Sequence, residues 1–157
     1  MKLYCMRHCD ALAVEVDPER HLSDQGNSDA HKIADHLQSQ ATHIPHVIHS
    51  GVTRAKETAL ILSTACGAEK VDEAPLLLGE NATLEAVVSL ATHAAEDTLL
   101  VGHMPFMSHL VAELLMEQNN SAHLITFPPG TVVCLKRLSP EQWMIDWILK
   151  PENLGLC

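Results

Sequence analysis

Four residues of the chain have the types and the neighbours to do chemistry together: Arg7, His8, Arg54 and His103. An arginine offers a planar fork of donors that fits an oxyanion, and a neutral imidazole offers a lone pair that can attack an electrophile or take a proton. Arg7-His8 ends the short β-prone run Lys-Leu-Tyr-Cys-Met at residues 2 to 6. Arg54 follows His-Val-Ile-His and a Ser-Gly turn, in the first turn of a predicted helix, where free backbone N–H groups also favour an anion. His103 follows the apolar run Thr-Leu-Leu-Val and Gly102, with Pro105 at a position suited to a helix start. Taken singly, each is as well read as a surface cation or a packed imidazole. All four, however, stand where a strand gives way to a helix, and open α/β sheets bind ligands beyond the carboxyl ends of their strands. If the three strands are parallel neighbours, the side chains converge on one edge.

The elements that must position them follow from periodicity. Ala30, Ile33, Ala34 and Leu37 recur at helical spacing and predict an amphipathic helix from residue 28 to 40. A second helix after Thr53 carries Ala55, Thr58, Ala59 and Leu62 on one side and stops near Gly67. A short strand around Val71, a helix over 83–93, a fully apolar strand over 98–101 and a helix over 106–117 come next. Residues 131–138 and 143–149 read as two strands joined by a Ser-Pro-Glu turn. This pattern predicts an α/β three-layer sandwich: a mostly parallel central sheet, helices on both faces and an antiparallel C-terminal edge. A length of 157 residues with 46% hydrophobic content suits a single domain over 1–157. Residues 11–27, with Pro18, scattered acids and Gly26, read as a loop after the first strand. Arg20 and His21 in it could reach a bound anion or remain solvated loop charges.

Composition excludes several classes. A formal charge of -10 argues against nucleic acid, whose phosphates call for a basic stripe. No run approaches the roughly 18 apolar residues of a membrane span. The five cysteines are odd in number and lack Cys-x-x-Cys spacing, and the N-terminus has no apolar run behind a basic region. Free thiols in a reducing cytoplasm are the expectation. His43, His46 and His49 suggest a metal, but Pro45 breaks any helix there and a strand would not turn third residues to one face. No metal and no cofactor is expected.

The segments Met6-Arg7-His8, Leu22-Ser23-Asp24-Gln25-Gly26, Ser50 to Thr58 with Arg54-Ala55-x-Glu57-Thr58-Ala59, and Val101-Gly102-His103-Met104-Pro105 resemble the histidine phosphatase (phosphoglycerate mutase-like) superfamily. Within it, the short length, the Arg7-His8-x-Asp10-Ala11 opening, Leu110 to Leu114 after His103-x-Pro105, and the Asn153-Leu154 tail are similar to the SixA family of phosphohistidine phosphatases. The resemblance implies that His8 is the nucleophile of a phosphoryl transfer and that Arg7, Arg54 and His103 stabilise the phosphoryl oxygens. Arg20, in its loop, and Ser50, in the turn before Arg54, are the candidates for substrate binding, and the partner the resemblance implies is a phosphohistidine-bearing phosphotransfer protein. A general acid, where one exists, has Glu80 and Asp10 as candidates. The family pattern has glycine where this chain has Cys9, so the Cys9 side chain must either point away from the phosphate or narrow the site. Two other functions stay open: a phosphatase of a small phosphomonoester in the same superfamily, and a non-catalytic phosphate-binding module that keeps the arginines.

Overall fold

The structure, a computed structural model, describes residues 1–79, 83–116 and 125–155. In chain order it contains β1 (Lys2–Arg7), α1 (Asp24–Ser39), β2 (His46–His49), α2 (Thr53–Ala65), β3 (Lys70–Glu73) and a 3-10 turn (Pro75–Leu78). There follow α3 (Leu84–Thr92), β4 (Thr98–Gly102), α4 (Phe106–Met116), β5 (Val132–Ser139), β6 (Gln142–Leu149) and a short 3-10 turn (Pro151–Asn153). The six strands form one sheet in the order β3-β2-β4-β1-β5-β6. The first four are parallel, and β5 and β6 are antiparallel, β5 to β1 and β6 to β5. This is the predicted α/β sandwich with its antiparallel C-terminal edge.

Alternation along β1 explains the layers. Leu3 and Cys5 pack with Leu100 and residues of α3 and α4 on one face; Tyr4 and Met6 pack with Leu99, Val101 and residues of α1 and α2 on the other. A strand covered on both faces reads as a near-continuous apolar run, and all five residues of β4 are buried, Thr98 with its hydroxyl donated to the Glu96 carbonyl. Register then sets the site. Arg7 pairs with Gly102 and His49 pairs with Val101, so β1, β4 and β2 end at nearly one level and hand their next residues to the same edge. Among the described residues no helix is long and apolar enough to cross a membrane.

α1 begins at Asp24, four residues ahead of the start that periodicity suggests. Ser23 caps it, its side chain accepting from the Gly26 backbone N–H at 3.0 Å. Gly26, read from sequence as a loop residue, is instead helical and buried. A Cβ there would overlap the backbone carbonyl of Asp10, so its lack of a side chain lets α1 lie against the segment that follows His8. The Leu76-Leu77-Leu78 run forms the first 3-10 turn and puts Leu77 into the core. The polar loop expected over 117–121 lies outside the described residues.

Candidate active site

β1 delivers His8 with its backbone fixed on both sides. The His8 N–H donates to the Gly102 carbonyl at 3.0 Å, and the Gly130 N–H donates to the carbonyls of Arg7 and His8 at 3.2 and 3.1 Å. The ring is fixed as well, because its Nδ1 lies 2.7 Å from the carbonyl oxygen of Cys9. A carbonyl only accepts, so Nδ1 carries the proton and Nε2 keeps a lone pair. Arg54 confirms that assignment from the other side: its Nε–H donates to His8 Nε2 at 3.2 Å.

α2 places Arg54 between the two histidines. Its Nη2 stands 3.4 Å from His103 Nδ1, while His103 Nε2 lies 2.6 Å from Ser50 Oγ. With Nδ1 accepting from Arg54, the proton of a neutral His103 is on Nε2 and is donated to Ser50. The His8 and His103 rings lie 4.9 Å apart, tilted by 55°. Arg7 donates from Nη1 to the Phe127 carbonyl at 2.8 Å, and its buried Nε has no protein acceptor.

Arg7, His8, Arg54 and His103 line a cavity of about 490 Å³ together with Arg20, Leu78 and Gly79 at the end of the 3-10 turn, Pro105, and Phe106 and His109 in the first turn of α4. The four residues singled out from sequence are therefore together. Arg20 joins them from the loop, its backbone at a φ of 54° and its Nε donating to the Leu12 carbonyl at 3.0 Å. His21 turns the other way, to Asp17 at 2.7 Å. Ser50 is 2% exposed and stands behind His103, so it reaches the cavity only through that ring. Asp10 is not part of the lining; its carboxylate accepts from Ser23 Oγ at 2.6 Å. Glu80 lies outside the described residues. His109 is the lining residue that no motif marked; its place in the first turn of the helix after His103 is the signal that points to it.

Cys9 points away from the cavity. It is fully buried among α1 and α2 residues, with its sulfur close to Gly130, and burial pushes its thiol up to about 12. The substitution for glycine is thus absorbed by the core. Cys9→Ser should retain most of the turnover rate and lose stability instead, by about 1–3 kcal/mol for a hydroxyl in an apolar site. Steady-state kinetics beside a denaturant melt separate the two; near-complete loss of activity in a folded Cys9→Ser would make the thiol chemical. The three spaced histidines go to three partners: His43 to the Cys66 carbonyl, His46 to Asp72 at 2.9 Å and His49 to the Gly51 N–H at 3.0 Å.

Burial, reinforced by neighbouring charge, keeps both cavity imidazoles neutral. Desolvation, then Arg54 and Arg7, lower His8 to about 4 against the upward pull of the Cys9 carbonyl; desolvation, His8 and the arginines lower His103 to about 3. Once the substrate's own ionisations are divided out, kcat/KM reports groups of the free enzyme, and it should stay level from neutral pH down through the ordinary imidazole range and fall only near about 4. Stability moves earlier. The unfolded chain takes up protons near about 6.5, which the native imidazoles resist, so stability is undiminished above that pH and is lost as pH falls toward 4. An NMR titration in which the His8 or His103 ring gains its proton near about 6.5 in still-folded protein would contradict this electrostatic reading.

Residues 3–77 match the family model of the histidine phosphatase superfamily (branch 1). Over the whole chain the fold agrees with the protein histidine phosphatase SixA complexed with tungstate, at a TM-score of 0.84 and 23% identity, covering 99% of this chain and 100% of that one. The fold is that of the histidine phosphatases, and over residues 3–77 the sequence is similar to their superfamily. Among its relatives is the phosphohistidine phosphatase SixA of Escherichia coli (strain K12), 28% identical over 162 residues, covering 100% of this chain and 98% of the relative. A mycobacterial glucosyl-3-phosphoglycerate phosphatase shares the fold at a TM-score of 0.69 and 18% identity, over 93% of this chain and 97% of that one.

Proposed function

We propose that the chain is a phosphohistidine phosphatase that takes phosphate from a histidine of a phosphotransfer protein through a phospho-His8 intermediate. The observation that carries this reading is the polarity of the His8 ring: Nδ1–H donated to the Cys9 carbonyl, and the Nε2 lone pair facing Arg54 in an open cavity. Nε2 attacks phosphorus in line and the carrier imidazole departs. Arg54 exchanges its bond to the ring for bonds to the equatorial oxygens, with Arg7, Arg20 and His103 beside it. Water then attacks the phosphoryl group on His8, releasing phosphate and restoring the neutral ring. Residue placement alone supports a cytosolic setting: the four described cysteines are free and buried, as a reducing compartment leaves them.

The substrate class follows from leaving-group chemistry. An alkyl monoester expels an alkoxide that a positioned acid must protonate, whereas a phosphohistidine with its distal ring nitrogen protonated releases a neutral imidazole. Among the described residues no Asp or Glu lines the cavity. The Escherichia coli relative, a phosphohistidine phosphatase, fits the same preference. A phosphohistidine domain should be dephosphorylated with kcat/KM at least roughly a hundredfold above that of glycerate-type esters, the lower end of a general acid's contribution. Parallel assays decide this. Comparable values would make the chain a small-ester phosphatase and give the acid's role to Glu80, Asp10 or His109, while phosphate binding without turnover would leave a binding module.

A further inference from the structure

Thr58 touches neither the cavity nor a substrate position. It is fully buried on the second turn of α2, one turn after Arg54, and its hydroxyl makes two bonds at once. Oγ1 accepts from the Cys9 backbone N–H at 3.1 Å and donates to the Arg54 carbonyl at 2.8 Å. The His8–Cys9 peptide group that donates this N–H is adjacent to the Cys9 carbonyl that holds His8 Nδ1 at 2.7 Å. A chain of three hydrogen bonds therefore runs from the Arg54 backbone through Thr58 and the Cys9 residue to the His8 ring. It ties the nucleophile to the helix that carries its oxyanion partner.

We infer that Thr58 is a positioning residue for the nucleophile: through Cys9 it sets both the tautomer and the aim of the His8 imidazole relative to Arg54. The physical reason is that the Cys9 backbone is buried, so its N–H has no water to fall back on when the hydroxyl is removed. The segment then either keeps an unmet donor or turns to find an acceptor, and turning carries the Cys9 carbonyl off the His8 Nδ1–H. A ring freed in that way divides its proton between the two nitrogens, and a proton on Nε2 blocks attack. The neighbouring Glu57, whose carboxylate accepts from the Leu22 N–H at 2.8 Å, anchors the loop that carries Arg20, so successive residues of one helix hold the two segments flanking the cavity.

This inference rests on the role given to His8 in the proposed function, and its test separates the two. Thr58→Val keeps the side-chain shape and removes the hydroxyl; Thr58→Ser restores it. In Thr58→Val, kcat on phosphoimidazole should fall roughly tenfold to a hundredfold with KM little changed, as expected when a reacting group is misaimed. The unliganded protein supplies the second readout: nitrogen-15 shifts of His8 should show a protonated Nδ1 in the wild type and an averaged pair in Thr58→Val. Thr58→Ser should recover both. A Thr58→Val protein with wild-type kcat, one slowed with unchanged His8 shifts, or a Thr58→Ser protein as impaired as the valine variant would each overturn the inference. Should the wild type turn over neither phosphoimidazole nor a phosphohistidine domain, the proposed function falls, while the nitrogen shifts still decide whether Thr58 orients His8.

Discussion

His8→Ala is expected to lower turnover of a phosphohistidine substrate by about ten-thousandfold or more, the scale on which removing a covalent nucleophile acts. The size follows from position. Of the two rings beside Arg54, His8 is the one whose protonated nitrogen is bound to a backbone carbonyl while its lone pair meets an arginine. His103 cannot take over, because Arg54 and Ser50 already engage both of its nitrogens and it reaches the centre from another strand. The alanine variant should still bind inorganic phosphate, since Arg7, Arg20 and Arg54 remain, and calorimetric titration can show that the loss lies in chemistry. A variant that keeps full activity would remove His8 from the mechanism.

Arg54→Lys should cost nearly as much, about a thousandfold in kcat, despite keeping the charge. A donor aimed at developing charge is worth about a hundredfold to a thousandfold in an enclosed site. Arg54 does more than one donor can, because its fork spans His8 Nε2 and His103 Nδ1. An ammonium on a flexible stem reaches one of these and not both. Arg54 also adds to the desolvation that keeps both rings neutral, and a lysine set back from them would let their pKa values rise. Kinetics of Arg54→Lys beside Arg54→Ala measure the value of geometry: similar losses support a bidentate role, and near-wild-type activity in the lysine variant would reduce Arg54 to a point charge.

The four central residues were legible because their signal is positional. A strand ending in Arg-His, another leading through Ser-Gly to Arg54 and a third ending in Gly-His can be read from short apolar runs and the residues that stop them. The sheet order then brings β2, β4 and β1 side by side and makes that reading spatial. The carbonyl that orients His8 had no name in the sequence, since any backbone oxygen could serve; it belongs to Cys9, the residue that departs from the family pattern. The direction of the Cys9 side chain was equally out of reach. It depends on α1 packing close, and that depends on Gly26, whose helical place is masked by its ordinary meaning as a breaker. Ser50 shows the opposite limit: proximity in sequence to Arg54 suggests direct substrate contact, whereas a strand-to-helix turn can as readily place a hydroxyl behind the neighbouring strand's histidine. His109 emerges only once helix α4 is set beside the cavity.

The central claim is that phosphate passes through a covalent bond to His8. The direct measurement is to mix the wild-type enzyme with excess phosphohistidine substrate, quench in alkali within a turnover, and locate the phosphate by peptide mass spectrometry. A phosphoramidate resists alkali and is removed by acid, so the account predicts an alkali-stable, acid-labile phosphate on the peptide bearing His8, absent from His8→Ala. Phosphate on another residue, an alkali-labile adduct, or release of product with no adduct formed at any time would contradict it.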